Sequence, residues 1–260
     1  MPQRILLSSI SLVAMLLPQE TFAHGAVSYP ISRQYQCYQD GNFWGNASAI
    51  PNAGCRASFQ SSGVYPFVQW NEVSANPNPR TSQAAVEKAV PNGLICASGD
   101  TDKKGLDQPQ NKGWKATPVK AGAKIKHTWD LSAAHNPSTH RIYITKKEAN
   151  YQHRELRWSD IDLDKPLYNG VMPAAVTAAN GKRTYSTDIM IPQDRTGHAI
   201  ILSVWQREDP ANEAFINCSD IQIISPTAQS NSVKPKPNNA QPHKVPAGAT
   251  VVGISHEARH

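Results

Sequence analysis

The stretch ETFAHGAVSYP, Glu20 to Pro30, sets a histidine directly behind Thr21-Phe22-Ala23, which carries small residues at the two positions a signal peptidase reads. Cleavage after Ala23 makes His24 the first residue of the mature chain, so one residue carries both a free α-amine and an imidazole. Cleavage after Ala26 would put His24 at the third position before the bond, where a small residue is wanted. An α-amine and its own imidazole close a six-membered chelate on a metal, and a second imidazole completes three nitrogens in one plane. Cu(II) favours that tetragonal set, and the Irving–Williams order places copper above its competitors. The three nitrogens carry no net charge, so Cu(I) is accommodated too. A second imidazole is offered by His135 in WDLSAAHNPSTHRIYITK, at a turn between two expected strands. Taken alone, each histidine also has a plain reading, as a polar residue at a chain end and as an idle loop residue.

The elements that must position these residues are mostly strands. Arg4 followed by the apolar run Ile5–Leu17 reads as an export signal over residues 1–23, and the run is too short for a membrane span, which needs about 20 apolar residues. No later stretch is long enough either, so no membrane anchor is expected after processing. The segments Ala123–Leu131, His140–Lys146, Arg183–Ile191, His198–Gln206 and Cys218–Ser225 alternate, are rich in β-branched and aromatic residues, and are bounded by Pro, Asn, Gly or Asp. Strands without intervening helices predict an all-β domain, a sandwich of the immunoglobulin or fibronectin type III kind, over residues 24–225. Between Pro30 and Pro118 the pattern is irregular, with one weak helical candidate at Thr81–Ala89, and predicts a long loop and short-helix insertion near the N-terminus. Residues 226–260, rich in Pro and Asn, read as a disordered tail or linker. The formal net charge of +6 is scattered, which argues against a nucleic-acid partner. Four cysteines in an exported chain imply two disulfides, with three pairings possible. The favoured one is Cys37–Cys55, closing an N-terminal loop, with Cys96–Cys218, tying a long loop to the last strand.

Four motifs, HGAVSYPISRQYQC at the mature start, AAH followed by RIYITK, ILSVWQREDP and EAFINCSDI, occur in that order. Together they resemble the lytic polysaccharide monooxygenases of auxiliary activity family ten, the bacterial-type chitin-binding proteins, over roughly Ala23 to Ser225. The resemblance implies a histidine brace holding one copper ion, with His24 ligating through amine and ring and His135 through its ring. It implies that Ala133 crowds one axial position, that Phe215 fills the other without donating an electron pair, and that Glu213 stands near copper to hydrogen-bond a bound oxygen species. An external electron donor and O2 or H2O2 are the implied co-substrates, and oxidation at C1 or C4 of a glycosidic linkage is the implied reaction. Crystalline chitin is the expected polymer, with cellulose the alternative, and a secreted monomer the expected form.

The chain departs from that pattern in two places. EDPANEAF is a residue longer between Asp209 and Phe215 than in the simplest members, which loosens the assignment of Asp209 and Asn212 as surface contacts. The YEPQSVEG run of many chitin-active members is replaced by GVYPFVQWNEV, so Tyr65, Phe67 and Trp70 become the candidates for a flat polymer-facing surface. Among the other histidines, His127 is expected to be a satisfied structural residue in a strand, and His140 to point away from the metal. His153 and His198 lack partners at ligand spacing, and His243, His256 and His260 lie in the tail. A glycoside hydrolase is disfavoured because no pair of carboxylates flanking a cleft stands out. The rival readings from other classes are a non-catalytic chitin-binding adhesin and an extracytoplasmic copper carrier.

Overall fold

The computed structural model describes residues 23–79 and 82–225. The expected signal up to residue 22 and the expected tail, 226–260, lie outside the described residues, as does Thr81 at the edge of the helical candidate. In chain order the elements are β1 (His24–Tyr29), α1 (Arg33–Asp40), α2 (Ala53–Ser62), α3 (Tyr65–Val68), β2 (Ser74–Ala75) and α4 (Gln83–Ala89). They continue with β3 (Thr117–Lys120), β4 (Lys124–Ala133), β5 (Ser138–Ile144), β6 (Tyr168–Val171), β7 (Val176–Thr177), β8 (Arg183–Met190), β9 (Gly197–Arg207) and β10 (Ala214–Ile224). One sheet has the order β1-β4-β8-β7; the other runs β2-β10-β9-β5-β6, with β3 lying parallel to β10. The pairs are otherwise antiparallel, and the two sheets form the expected sandwich.

Strand β8 shows why alternation was readable there. Tyr185, Thr187 and Ile189 turn inward, while Asp188 and Met190 face solvent. Strand β9 is buried over nearly its whole length because both of its faces are covered. Ala199, Ile201 and Trp205 enter the sandwich interior. Ile200, Leu202 and Val204 pack outward against Val86, Val90, Ile95 and Leu106 of the N-terminal insertion.

That insertion is more ordered than an irregular loop. Among the described residues it holds four short α-helices and three 3-10 turns, stapled by the disulfides Cys37–Cys55 and Cys96–Cys218. Helix α1 buries Arg33, Gln34 and Gln36, polar residues that no apolar stripe announces. For Arg33 the burial is tolerated because it donates from Nε and Nη2 to the two carboxylate oxygens of Asp220 on β10, at 2.7 and 3.0 Å, and from Nη1 to the Leu106 carbonyl at 2.8 Å. Burial opposes the charge of Asp220, yet Arg33 and His198 outweigh it and hold that carboxyl down at about 2. Among the described residues no helix is long and apolar enough to cross a membrane.

Candidate metal centre

His24 opens β1, and the β1–β4 register sets it opposite Ala133, two residues before His135. The strand is clamped from both sides. On one side it pairs with β4; on the other Gly25 N–H donates to the Asn71 carbonyl at 2.9 Å. Gly25 is required by contact, since a Cβ there would lie 2.5 Å from the Asp130 carbonyl oxygen. The β4–β5 turn is fixed by Tyr185 of β8, whose hydroxyl accepts from His135 N–H at 2.9 Å and sits 2.7 Å from Asn136 Oδ1. Ser138 Oγ donates to the His135 carbonyl at 2.8 Å. Neither histidine is therefore at a loose end.

Phe215 is fully buried beside His24, ring centroids 6.2 Å apart in an edge-on arrangement, and stacks on Trp205 at 4.9 Å. A carboxylate stands against each histidine ring, and a third is linked through Arg207. Glu72 Oε2 stands 3.9 Å from His24 Nε2, and Asp209 Oδ2 stands 3.0 Å from His135 Nε2. Glu213 accepts from Ser74 Oγ at 2.9 Å and from Arg207 Nη1 at 3.0 Å, while Arg207 Nε donates to Asp209 at 2.7 Å. Asp209, Arg207 and Glu213 thus form one linked triad at the His135 side of the site.

The donor set suits copper. The β1–β4 register brings His24 and the His135 turn to one edge of the sandwich, and Phe215 lies beside His24 with a ring that has no lone pair to offer. His24 Nε2 faces Glu72, which leaves Nδ1 as the ring nitrogen nearer its own backbone nitrogen. His135 Nδ1 is buried without a hydrogen-bond partner among the described residues, so Nε2 is the nitrogen turned toward Asp209 and the triad. No group of three His, Cys, Asp or Glu side chains poised for a metal occurs among the described residues. A third nitrogen must then come from the α-nitrogen of His24, which in this chain is bonded to the buried Ala23.

Several expectations need correction. Phe67 is fully buried against Phe43 and belongs to the core of the insertion, so it cannot meet a polymer. Trp70 is half-buried over Tyr35 and Tyr38, at 4.6 and 5.3 Å, two residues before Glu72. Tyr65 is half-buried with Lys103 Nζ 5.1 Å over its ring. Asp209, expected on the polymer face, turns inward to His135 and Arg207. Asn212 is a left-handed turn residue, φ 54°, whose carbonyl accepts from Gln206 Nε2. His127 is not satisfied: both ring nitrogens are buried without a partner among the described residues, and burial pushes its pKa down to about 3. His140 does stay out of the site, its ring nitrogens lying 3.1 Å from Thr187 Oγ1 and 3.0 Å from Ser203 Oγ. His198 bonds Asp220 at 3.0 Å and serves the buried Arg33 cluster. Ser74, Tyr185 and Arg207 are residues around the candidate site that the sequence did not single out. The charge run Arg207-Glu208-Asp209 was the one visible signal among them.

Comparison with known proteins agrees with this geometry. A family model described as "Lytic polysaccharide mono-oxygenase, cellulose-degrading" matches residues 24–221, starting at His24. The chitin-binding protein CbpD of Pseudomonas aeruginosa is 32% identical over 241 residues, covering 92% of this chain and 57% of that protein. A lytic cellulose monooxygenase of Streptomyces ambofaciens is 29% identical over 220 residues, covering 83% of this chain and 57% of that protein. The chain therefore spans little more than half the length of these curated relatives. Among solved structures, the cellulose-active monooxygenase CelS2 in complex with copper superposes with a TM-score of 0.63 at 27% identity, over 76% of this chain and 98% of that one. A first strand headed by His24, a second histidine two residues past its register partner, and a family match that begins at the same residue establish that the chain belongs to the lytic polysaccharide monooxygenase family.

Proposed function

We propose that the chain, cut after Ala23 and secreted, is a monomeric copper-dependent monooxygenase that oxidatively breaks glycosidic bonds in crystalline polysaccharide, chitin first and cellulose as the alternative. The observation that carries the reading is the β1–β4 register, which brings His24 beside the His135 turn with Phe215 next to it. Copper held by His24 and His135 would supply one-electron redox chemistry toward O2 or H2O2, with an external electron donor. The protein's own part is to hold and to exclude. The sheet and the Asn71 carbonyl fix the His24 backbone, and Tyr185 fixes that of His135. Phe215 keeps a competing donor away from the His24 ring, and Ala133, the register partner of His24 on β4, crowds the space on the facing strand. Glu213, kept in place by Ser74 and Arg207, is poised to hydrogen-bond an oxygen-derived species. Tyr65 and Trp70 remain the aromatic candidates for contact with the polymer, Trp70 through its closeness to Glu72.

A hydrolytic mechanism is poorly served, because Asp209 and Glu213 are both tied to one guanidinium rather than left as a separate acid and base. The deciding experiment incubates the mature, copper-loaded chain with a reductant on chitin and on cellulose, and reads the soluble products by mass spectrometry. Oxidised oligosaccharides that vanish on copper removal are the expected result. Binding to chitin without oxidised products would leave the adhesin reading, and copper release without polymer binding the carrier reading.

A further inference from the structure

We infer that Asp209 is a positioning residue of the metal site: a fixed negative charge beside His135 Nε2 that favours Cu(II) over Cu(I). The inference rests on the histidine-brace reading and adds a role that the brace alone does not supply. Asp209 Oδ2 stands 3.0 Å from His135 Nε2, the ring nitrogen that is not sealed in the interior. A metal on Nε2 takes the place of that contact, so the carboxylate must turn aside by the width of the ion, and its tethers keep its charge close. Arg207 Nε holds Oδ2 from behind at 2.7 Å, Ala211 N–H donates to Oδ1 at 3.0 Å, and Glu208 N–H pins the segment to the Pro137 carbonyl at 3.1 Å.

The charge sum gives the direction. Arg207 serves both Asp209 and Glu213, so two carboxylates share one guanidinium and the triad carries a formal charge of −1. The brace nitrogens are neutral, and a carboxylate stands against each ring, Asp209 of the triad at His135 and Glu72 at His24. A fixed anion stabilises a dication more than a monocation. Asp209 is the triad member in contact with a proposed ligand, while Glu213 is turned to Ser74 and Arg207.

The test uses the mature protein beginning at His24, loaded with copper, as wild type, Asp209→Asn and Asp209→Glu. The readouts are the Cu(II) and Cu(I) dissociation constants and the electron paramagnetic resonance spectrum of the Cu(II) form. In Asp209→Asn the ratio of Cu(II) to Cu(I) affinity should fall on the order of tenfold, the size of one partly screened charge at a mostly buried site. Asp209→Glu should restore the ratio toward wild type, which a purely structural role would not do. An unchanged ratio and an unchanged spectrum in Asp209→Asn overturn the inference. A wild-type protein that takes up no copper overturns the brace itself, and a wild type that binds normally while Asp209→Asn matches it overturns only the role of Asp209.

Discussion

Replacing His127 with leucine should flatten the acid sensitivity of the fold by an amount that follows from burial alone. The ring is fully buried, its two nitrogens have no partner among the described residues, and its pKa falls from 6.5 to about 3. A group whose folded pKa lies below its unfolded one leaves stability intact above about 6.5 and withdraws it as pH drops toward about 3. At about pH 5 the unfolded imidazole is nearly all protonated while the folded one is neutral, so the linkage costs about 2 kcal/mol, at about 1.4 kcal/mol per unit over 1.5 units. That figure holds for any folded pKa well below 5. The buried His140, its pKa also lowered by burial and by His127, adds a loss of the same sign that the substitution leaves in place. Near pH 7.5 His127→Leu should be at least as stable as wild type, because no hydrogen bond is lost and two unmade ones, costing about 1–3 kcal/mol each, are removed. Urea unfolding with the disulfides intact, at both pH values, measures the difference. The advantage of the variant should grow by about 2 kcal/mol on going to about pH 5. A gap between the two proteins that stays constant with pH would refute the reasoning.

One glycine left before His24 turns its amine into an amide, so Cu(II) affinity by calorimetry should drop by more than about 100-fold, since losses around the ligands alone cost about 10–100-fold. Equal tight binding in extended and mature proteins would count against the brace. Glu213→Gln should still bind copper while peroxide-driven turnover falls by about 10–100-fold; turnover at the wild-type rate would reduce Glu213 to a partner of Arg207 and Ser74. Asp220→Asn strands a buried Arg33 and should cost about 3–5 kcal/mol in thermal unfolding, and a loss below about 1 kcal/mol would show that the cluster rearranges at little cost.

The central strands were legible because they alternate or carry β-branched runs, and β4, β5, β8 and β9 stand within a few residues of their expected bounds. Strand β10 begins at Ala214, four residues before the expected Cys218, because Phe215 and Asn217 point inward beside the active end rather than into an apolar run. Strand β1 could not be read locally, since its partner lies about a hundred residues away in Ala133. The insertion hid its helices because α1 is buried through Arg33 and two glutamines, and hydropathy does not register an ion pair to a distant aspartate. In the site, His24 was visible through the cleavage signal and His135 through the motif order. Glu72 and Arg207 enter from a loop and a strand end, and composition does not tell which way they turn. The same limit applies to Tyr65, Phe67 and Trp70, three aromatic residues in six positions of which one proved to be core.

The strand that begins with His24 is the first part of the described fold to be synthesised, yet its contacts are among the last to become available. Its register partner is Ala133, and Val27 N–H donates to Asn217 Oδ1, 190 residues further on. Contacts so distant in sequence are slow to close. A chain interrupted at the end of β9 would hold both histidines and still lack Glu213, Phe215 and the anchor at Asn217. Under the proposed brace, the rate at which copper uptake appears during refolding would serve as a clock for the completion of the whole sandwich.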